Sequence, residues 1–393
     1  MFTLIENGEI YAPASSGVNS VLLTENKILK IGELNRSNID ALGIEYEVIN
    51  AAGCVITPGF IDPHEHLLGG SGEKGFSSQT PEISATEIIE AGITTVVGCL
   101  GVDTTMKTMA GLLAKAKALK EEGLSAYIWS GGYDVPPTTI TDSVRNDIMF
   151  IEEVIGAGEI AISDERSTDH VPHELARLVI DTHNGGMLSR KAGVTHFHVG
   201  ESKERLKSIR NILDEFPIEP DWIYPTHIIR SEELMKEAIE LAGKGAFVDI
   251  DTVDEDLPRW LRFYLDNGGK PEQLTISTDA SITSPKNLIE QIRICILEHK
   301  FKLEEVLPLV TSNTARVLKF ENKGEIAENK SADLLVLEKD TLEIREVICG
   351  GRRLFKDGSL AFKERFLKES NRIVNLRGEK QTKTASGSDK END

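Results

Sequence analysis

The chain has 393 residues, which at roughly 100 to 200 residues per domain allows two or three domains or one large barrel with an appendage. Its 44 Lys and Arg against 64 Asp and Glu give a formal charge of −20, which repels nucleic acid and anionic lipid and excludes both as expected partners. Hydrophobic residues at 40% and charged residues at 27% are ordinary globular usage, which excludes wholesale disorder and fibrous structure.

Met1 leads directly into FTLIENGEIY without a basic n-region and apolar h-region, and nowhere do about 18 apolar residues run together. The expectation is a cytoplasmic protein without a signal peptide or a membrane span. Cys54, Cys99, Cys295 and Cys349 are scattered with no paired spacing, which predicts buried thiols rather than a disulfide framework. The first fifty-odd residues alternate short β-rich runs with turn residues, and hairpins are expected at ENG and TENK. After Pro58-Gly59 short apolar runs alternate with amphipathic ones, as in ITTVVGCLG before TTMKTMAGLLAKAKALKEEG. That alternation predicts βαβ units and a parallel sheet, and 58–320 is close to the roughly 250 residues of a (β/α)8 barrel. Glu152 and Glu153 are expected on an exposed helix before the next run. Glu159 is expected to enter or cap a barrel strand. After Lys323-Gly324 the short-strand texture returns.

The fold class predicted is therefore α/β: a distorted (β/α)8 TIM barrel over 58–320, with a small β-sandwich domain built from 1–57 and 321–365. Residues 366–393 form an extension expected to be disordered from about 378, where GEKQTKTASGSDKEND lacks any large apolar residue. No internal repeat stands out.

The sharpest local feature is PGFIDPHEH. His64 and His66 lie two apart at the end of a predicted strand, so period-two geometry points both imidazoles to one side. His198 ends VTHFHVG, His227 ends DWIYPTH and Asp279 ends LTISTD. In a barrel the C-terminal ends of the strands converge on one face, where active sites lie. Each residue alone reads as a satisfied core or surface group. Together, four histidines and an aspartate at strand ends offer the ligand types of borderline divalent metals such as zinc. His196 falls one layer deeper and is expected to support the site rather than ligate. His170, His173, His183 and His299 are expected to be solvated.

On these motifs the chain resembles the amidohydrolase superfamily and, within it, the isoaspartyl (β-aspartyl) dipeptidases. The resemblance runs from NGEI through PGFIDPHEH to GEIAENKSADLLVL, and the narrower match rests on HLLGGSGEKG, TPE, SGGYDVPPTTITDSV, AISDERS, FHVGES, PTHIIR and STD. It implies two divalent ions, zinc foremost, with His64, His66 and Asp279 on one and His198 and His227 on the other. It implies Glu159 as the bridge, at the position where the superfamily commonly carries a carbamylated lysine. It further implies a substrate site of Glu73 for a free α-amino group, Arg166 and Arg230 for carboxylates, and Ser71 and Thr283 beside them. Tyr133 would polarise the scissile carbonyl and Asp279 would shuttle the proton. Val102 stands where the family's pocket commonly has a hydroxyl, and Thr283 where a serine is usual.

The function so implied is hydrolysis of the β-aspartyl peptide bond of a small dipeptide by a metal-bridged hydroxide, in a homo-oligomer. The alternatives are a cyclic-amide hydrolase of the dihydroorotase or hydantoinase kind, and a non-catalytic scaffold on the same barrel.

Overall fold

A computed structural model describes residues 2–371 except 255 and 362; the tail expected to be disordered from about 378 lies outside the described residues. Contacts group Met1–Phe362 into one compact unit and set Lys363–Asp393 apart. The described part of the second unit holds a short helix, Arg365–Glu369.

Both chain ends contribute to a nine-stranded sheet. Its strands are β1 (Phe2–Tyr11), β2 (Ser15–Thr24), β3 (Lys27–Gly32), β4 (Tyr46–Asn50) and β5 (Cys54–Pro58). From the other end of the unit come strands Leu334–Glu338, Ile344–Cys349, Arg352–Lys356 and Ser359–Leu360. Cys54–Pro58 pairs antiparallel with Leu334–Glu338, which joins the two ends. The run LLVLE is buried almost throughout because both faces of the sheet are covered. Leu334 and Val336 face a cluster with Ile5, Ile28 and Ile56, while Leu335 and Leu337 face the barrel's core.

The expected TENK hairpin forms, with Thr24 opposite Lys27. The hairpin expected at ENG does not. The strand runs through Glu6-Asn7-Gly8 with a register shift between Ile5 and Gly8, and Asn7 takes a φ of +65°. The chain turns instead at 12–14, since Tyr11 pairs with Ser15. An Asn-Gly pair that accepts positive φ suits a bulge as well as a turn.

Among the described residues the barrel has eight strands: β6 (Phe60–Glu65), β7 (Ile93–Gly98), β8 (Ser125–Ser130), β9 (Val154–Ile162), β10 (Thr195–Val199), β11 (Ile223–Thr226), β12 (Val248–Asp251) and β13 (Leu274–Ser277). A helix follows each, from Ala85–Glu90 to Asn287–Leu297. Several start on hydroxyl caps: Ser84, Thr108, Ser143 and Ser231 each accept a backbone N–H of the first turn.

β6 to β11 form one parallel sheet and β12 pairs with β13 in another. Two different devices close the ring. At one seam the Asp279 N–H donates to the His64 carbonyl and the His66 N–H to that of Ala280, at 3.0 and 2.9 Å. At the other, side chains replace the backbone ladder, with Thr226 Oγ1 donating to Asp249 Oδ2 at 2.8 Å. Unequal closure makes the barrel distorted. All four cysteines are free and buried. No helix of the described residues is long and apolar enough to cross a membrane.

Candidate metal centre

His64 lies in β6 and His66 one residue beyond it, His198 is the penultimate residue of β10, and Glu159 lies inside β9. His227 follows β11 by one residue and Asp279 follows β13 by two. Their φ values of +61° and +46° place both in the left-handed region, which side chains with a Cβ rarely adopt and which clusters at functional sites. Room beside His66 comes from Gly101, where a Cβ would lie 2.9 Å from the imidazole Cε1.

Glu159 divides its carboxylate between two histidine pairs. Oε1 lies 2.6 Å from His198 Nδ1 and 3.2 Å from His227 Nε2. Oε2 lies 3.3 Å from His64 Nε2 and 3.6 Å from His66 Nε2. Asp279 closes the open side: its Oδ1 is 3.0 Å from His66 Nε2 and its Oδ2 is 3.9 Å from His227 Nε2. The six side chains expected at the metals are thus within reach of one another. Cys99, expected only as a buried thiol, joins the His64, His66 and Glu159 group, with Sγ 3.7 Å from His66 Nδ1.

The chemistry of this cluster fits a cation. His64 Nε2 and Glu159 Oε2 are both buried and neither has a hydrogen-bond partner, although they face each other. Burial alone would hold the histidines neutral, yet Glu159, Cys99 and Asp279 together outweigh it and raise the pKa of His64 well above its ordinary value. His227 is carried against burial up to about 9 by Asp251 and Glu159. Burial would raise the carboxylates, but the surrounding histidines hold Glu159 and Asp279 well below the usual range. A buried pocket that keeps its acids ionised and recruits protons onto its imidazoles demands positive charge, which divalent ions also satisfy.

Two orienting residues were not anticipated from the sequence. Asp251, the last residue of β12, holds His227 Nδ1 at 2.8 Å, and Asp164, just past β9, holds His198 Nε2 at 3.0 Å. Carboxylates behind metal-binding imidazoles commonly fix ring orientation. The strand-end position of Asp251 in VDID was the available signal. His196 is fully buried, bonded to the Tyr224 carbonyl at 3.0 Å, and belongs to none of the three donor groups.

Above the cluster opens a cavity of about 420 Å³ lined by Ser71, Glu73, Tyr133, Arg166, Arg230 and Asp279, among others. Arg166 grips Asp164 with Nε and Nη2, both at 2.8 Å, and reaches Glu73 with Nη1 at 2.7 Å. Arg230 pairs with Glu201 at 3.2 Å. Tyr133 Oη lies 2.9 Å from His198 Nδ1, and burial followed by Glu159 pushes the phenol's pKa well up.

Thr283 is not among the lining residues. Ser281 and Ile282 take that wall, and the Thr283 hydroxyl is buried without a partner. Three further expectations are corrected. Glu159 sits mid-strand, because the apolar run that carries it begins at Val154. The helix Val144–Phe150 ends before Glu152 and Glu153, and Glu153 is buried against Lys117 and Lys120 while Glu152 is exposed. His183 stacks on Trp222 at 3.6 Å, and His170 is half-buried rather than solvated.

Comparison with known proteins agrees with this architecture. The β-aspartyl dipeptidase of Fervidobacterium islandicum AW-1 is 37% identical, with a TM-score of 0.87 over 96% of this chain and 100% of that one. The same enzyme in complex with β-Asp-Leu dipeptide gives 36% and 0.86. The dihydroorotase of Lactococcus lactis is 23% identical over 86% of this chain and 90% of its own length. Adenine deaminase 2 of Rhizobium johnstonii is 25% identical over 80% of this chain, which spans only 50% of that protein. The amidohydrolase family model matches residues 55–245 and 259–354. With most of the chain matched and the barrel carrying its cluster at the strand ends, the chain belongs to the amidohydrolase family.

Proposed function

We propose that this chain is a metal-dependent dipeptidase that hydrolyses the β-aspartyl bond of small dipeptides. One observation carries the reading: one cavity above the Glu159 cluster is lined by a carboxylate outside that cluster, Glu73, and two guanidinium groups, Arg166 and Arg230. A β-aspartyl dipeptide carries one ammonium and two carboxylates. Guanidinium binds carboxylate bidentately, and an ammonium requires an anion. The 37% identical β-aspartyl dipeptidase supports the same substrate class.

In the free chain Glu73 and Arg166 neutralise each other at 2.7 Å, and a zwitterionic substrate replaces both halves of that pair, its ammonium on Glu73 and a carboxylate on Arg166. His64, His66 and Asp279 would hold one divalent ion and His198 and His227 the other, with Glu159 between them. Such ions, zinc by donor type, would supply a Lewis acid and a water acidified toward neutral pH. Asp279, kept ionised by the surrounding histidines against the effect of burial, accepts the proton released on attack and returns it to the leaving amine. Tyr133 keeps its phenolic proton, because burial and Glu159 oppose ionisation. It donates that proton's hydrogen bond to the carbonyl oxygen as negative charge develops there.

A cyclic-amide substrate is the second reading, favoured by the alignment with a dihydroorotase over 86% of the chain. Dihydroorotate has no ammonium for Glu73. Turnover of β-Asp-Leu by the metal-replete protein, with dihydroorotate and N-acetyl-β-Asp-Leu as poor substrates, supports the dipeptidase reading; preferred turnover of dihydroorotate overturns it.

A further inference from the structure

The charged wall of the cavity accounts for the polar groups of a dipeptide but not for the side chain of the leaving residue. The lining also includes Gly70, Ser71, Gly101, Val102 and Ile282. Ile282 is 82% exposed. A large apolar side chain standing in water at the rim of a polar cavity presents surface that a ligand can cover.

The loop that carries it is tied down. Thr80 Oγ1 donates to the Ser281 carbonyl at 2.7 Å and accepts the Gly70 N–H at 2.6 Å, tying the loop after Asp279 to the loop after His66. One end of the Ile282 loop is anchored by the bridge between Glu65 and Ala280, and beyond its other end Lys286 pairs with Glu90. A Cβ at position 70 would lie 3.3 Å from Ile282 Cγ1, closer than ordinary packing, so the glycine leaves that side chain its place beside the loop after His66. A pre-positioned apolar surface takes up a side chain without the cost of ordering a loop. Val102 adds a second branched apolar group to the lining of the same cavity.

We propose that Ile282, with Val102, forms the contact surface for the side chain of the leaving residue and makes the site selective for β-aspartyl dipeptides whose leaving residue is apolar. The proposal rests on the dipeptidase reading above. The competing group on the page is Lys74, whose side chain also lines the cavity and would favour an acidic leaving residue.

The test is kcat/KM for β-Asp-Leu, β-Asp-Gly and β-Asp-Glu with the metal-loaded wild type, Ile282→Ser and Phe76→Ser. Phe76 is 84% exposed and is not among the lining residues, so its variant controls for loss of an exposed apolar group in general. The wild type should prefer β-Asp-Leu over both others. A methylene-sized apolar contact discriminates by roughly tenfold or more, so Ile282→Ser should lower the Leu-to-Gly ratio about tenfold while Phe76→Ser leaves it unchanged. An unchanged ratio in Ile282→Ser, or a wild type that prefers β-Asp-Glu, overturns the proposal while leaving the dipeptidase reading intact. Failure to cleave any of the three would instead remove that reading, and this proposal with it.

Discussion

Replacing Glu159 by Gln probes the cluster at its centre. The side chain is fully buried, and four imidazole nitrogens lie within 3.6 Å of its two oxygens. Glutamine keeps the shape but cancels the charge and turns one acceptor into an N–H donor facing a histidine pair. Breaking a buried ion pair by removing one partner costs about 3–5 kcal/mol. At about 1.4 kcal/mol per tenfold, affinity for the bound ions falls by two to three and a half orders of magnitude. Glu152→Gln, at an exposed position, should change nothing; Glu153 is unsuitable as a control because it is buried between two lysines. The assay is metal content after gel filtration, by elemental analysis, alongside turnover. Wild type and Glu152→Gln should retain close to two ions per chain and Glu159→Gln one or none, with most activity lost. Because the carboxylate belongs to the chain itself, added bicarbonate should alter neither reconstitution nor rate. Two ions and normal turnover in Glu159→Gln would refute the bridging role.

Asp279→Asn retains one donor oxygen but cannot take the proton, so turnover should fall roughly 10²- to 10⁴-fold with metal partly retained; near-normal turnover removes Asp279 from proton transfer. A second prediction concerns pH. His227 is raised from its ordinary 6.5 up to about 9, so its charge stabilises the metal-free fold below about pH 6.5 and that contribution is lost as pH rises through about 9. Metal must displace those protons, so apparent affinity measured by chelator competition should climb with pH toward 9, and a flat profile between pH 6.5 and 8.5 would contradict the assignment.

The donor side chains that terminate strands were legible because an apolar run followed by a histidine or aspartate fixes both the residue type and its place at the barrel's upper face. Glu159 was harder to place: a lone carboxylate in VIGAGEIAI resembles a strand entry, and only the fold shows that the strand began five residues earlier. Asp251 and Asp164 were missed because an aspartate at a strand end or beside an arginine ordinarily serves a turn or a surface ion pair, and their aim at His227 and His198 depends on tertiary placement. The chain path after Asp279, not sequence spacing, decides that Ser281 and Ile282 line the cavity while Thr283 does not. The closure between β11 and β12 by Thr226 and Asp249 leaves no local pattern at all.

The most direct test of the central claim is kcat/KM for β-Asp-Leu beside α-Asp-Leu with the zinc-loaded protein. The two isomers share composition and charge but place the scissile carbonyl one carbon differently from the ammonium and carboxylate that Glu73 and Arg166 are proposed to hold. Misplaced polar partners discriminate strongly in a desolvated site, so the β isomer should be favoured by at least ~10²-fold. Equal rates on the two isomers, or hydrolysis of the α isomer alone, would contradict the account.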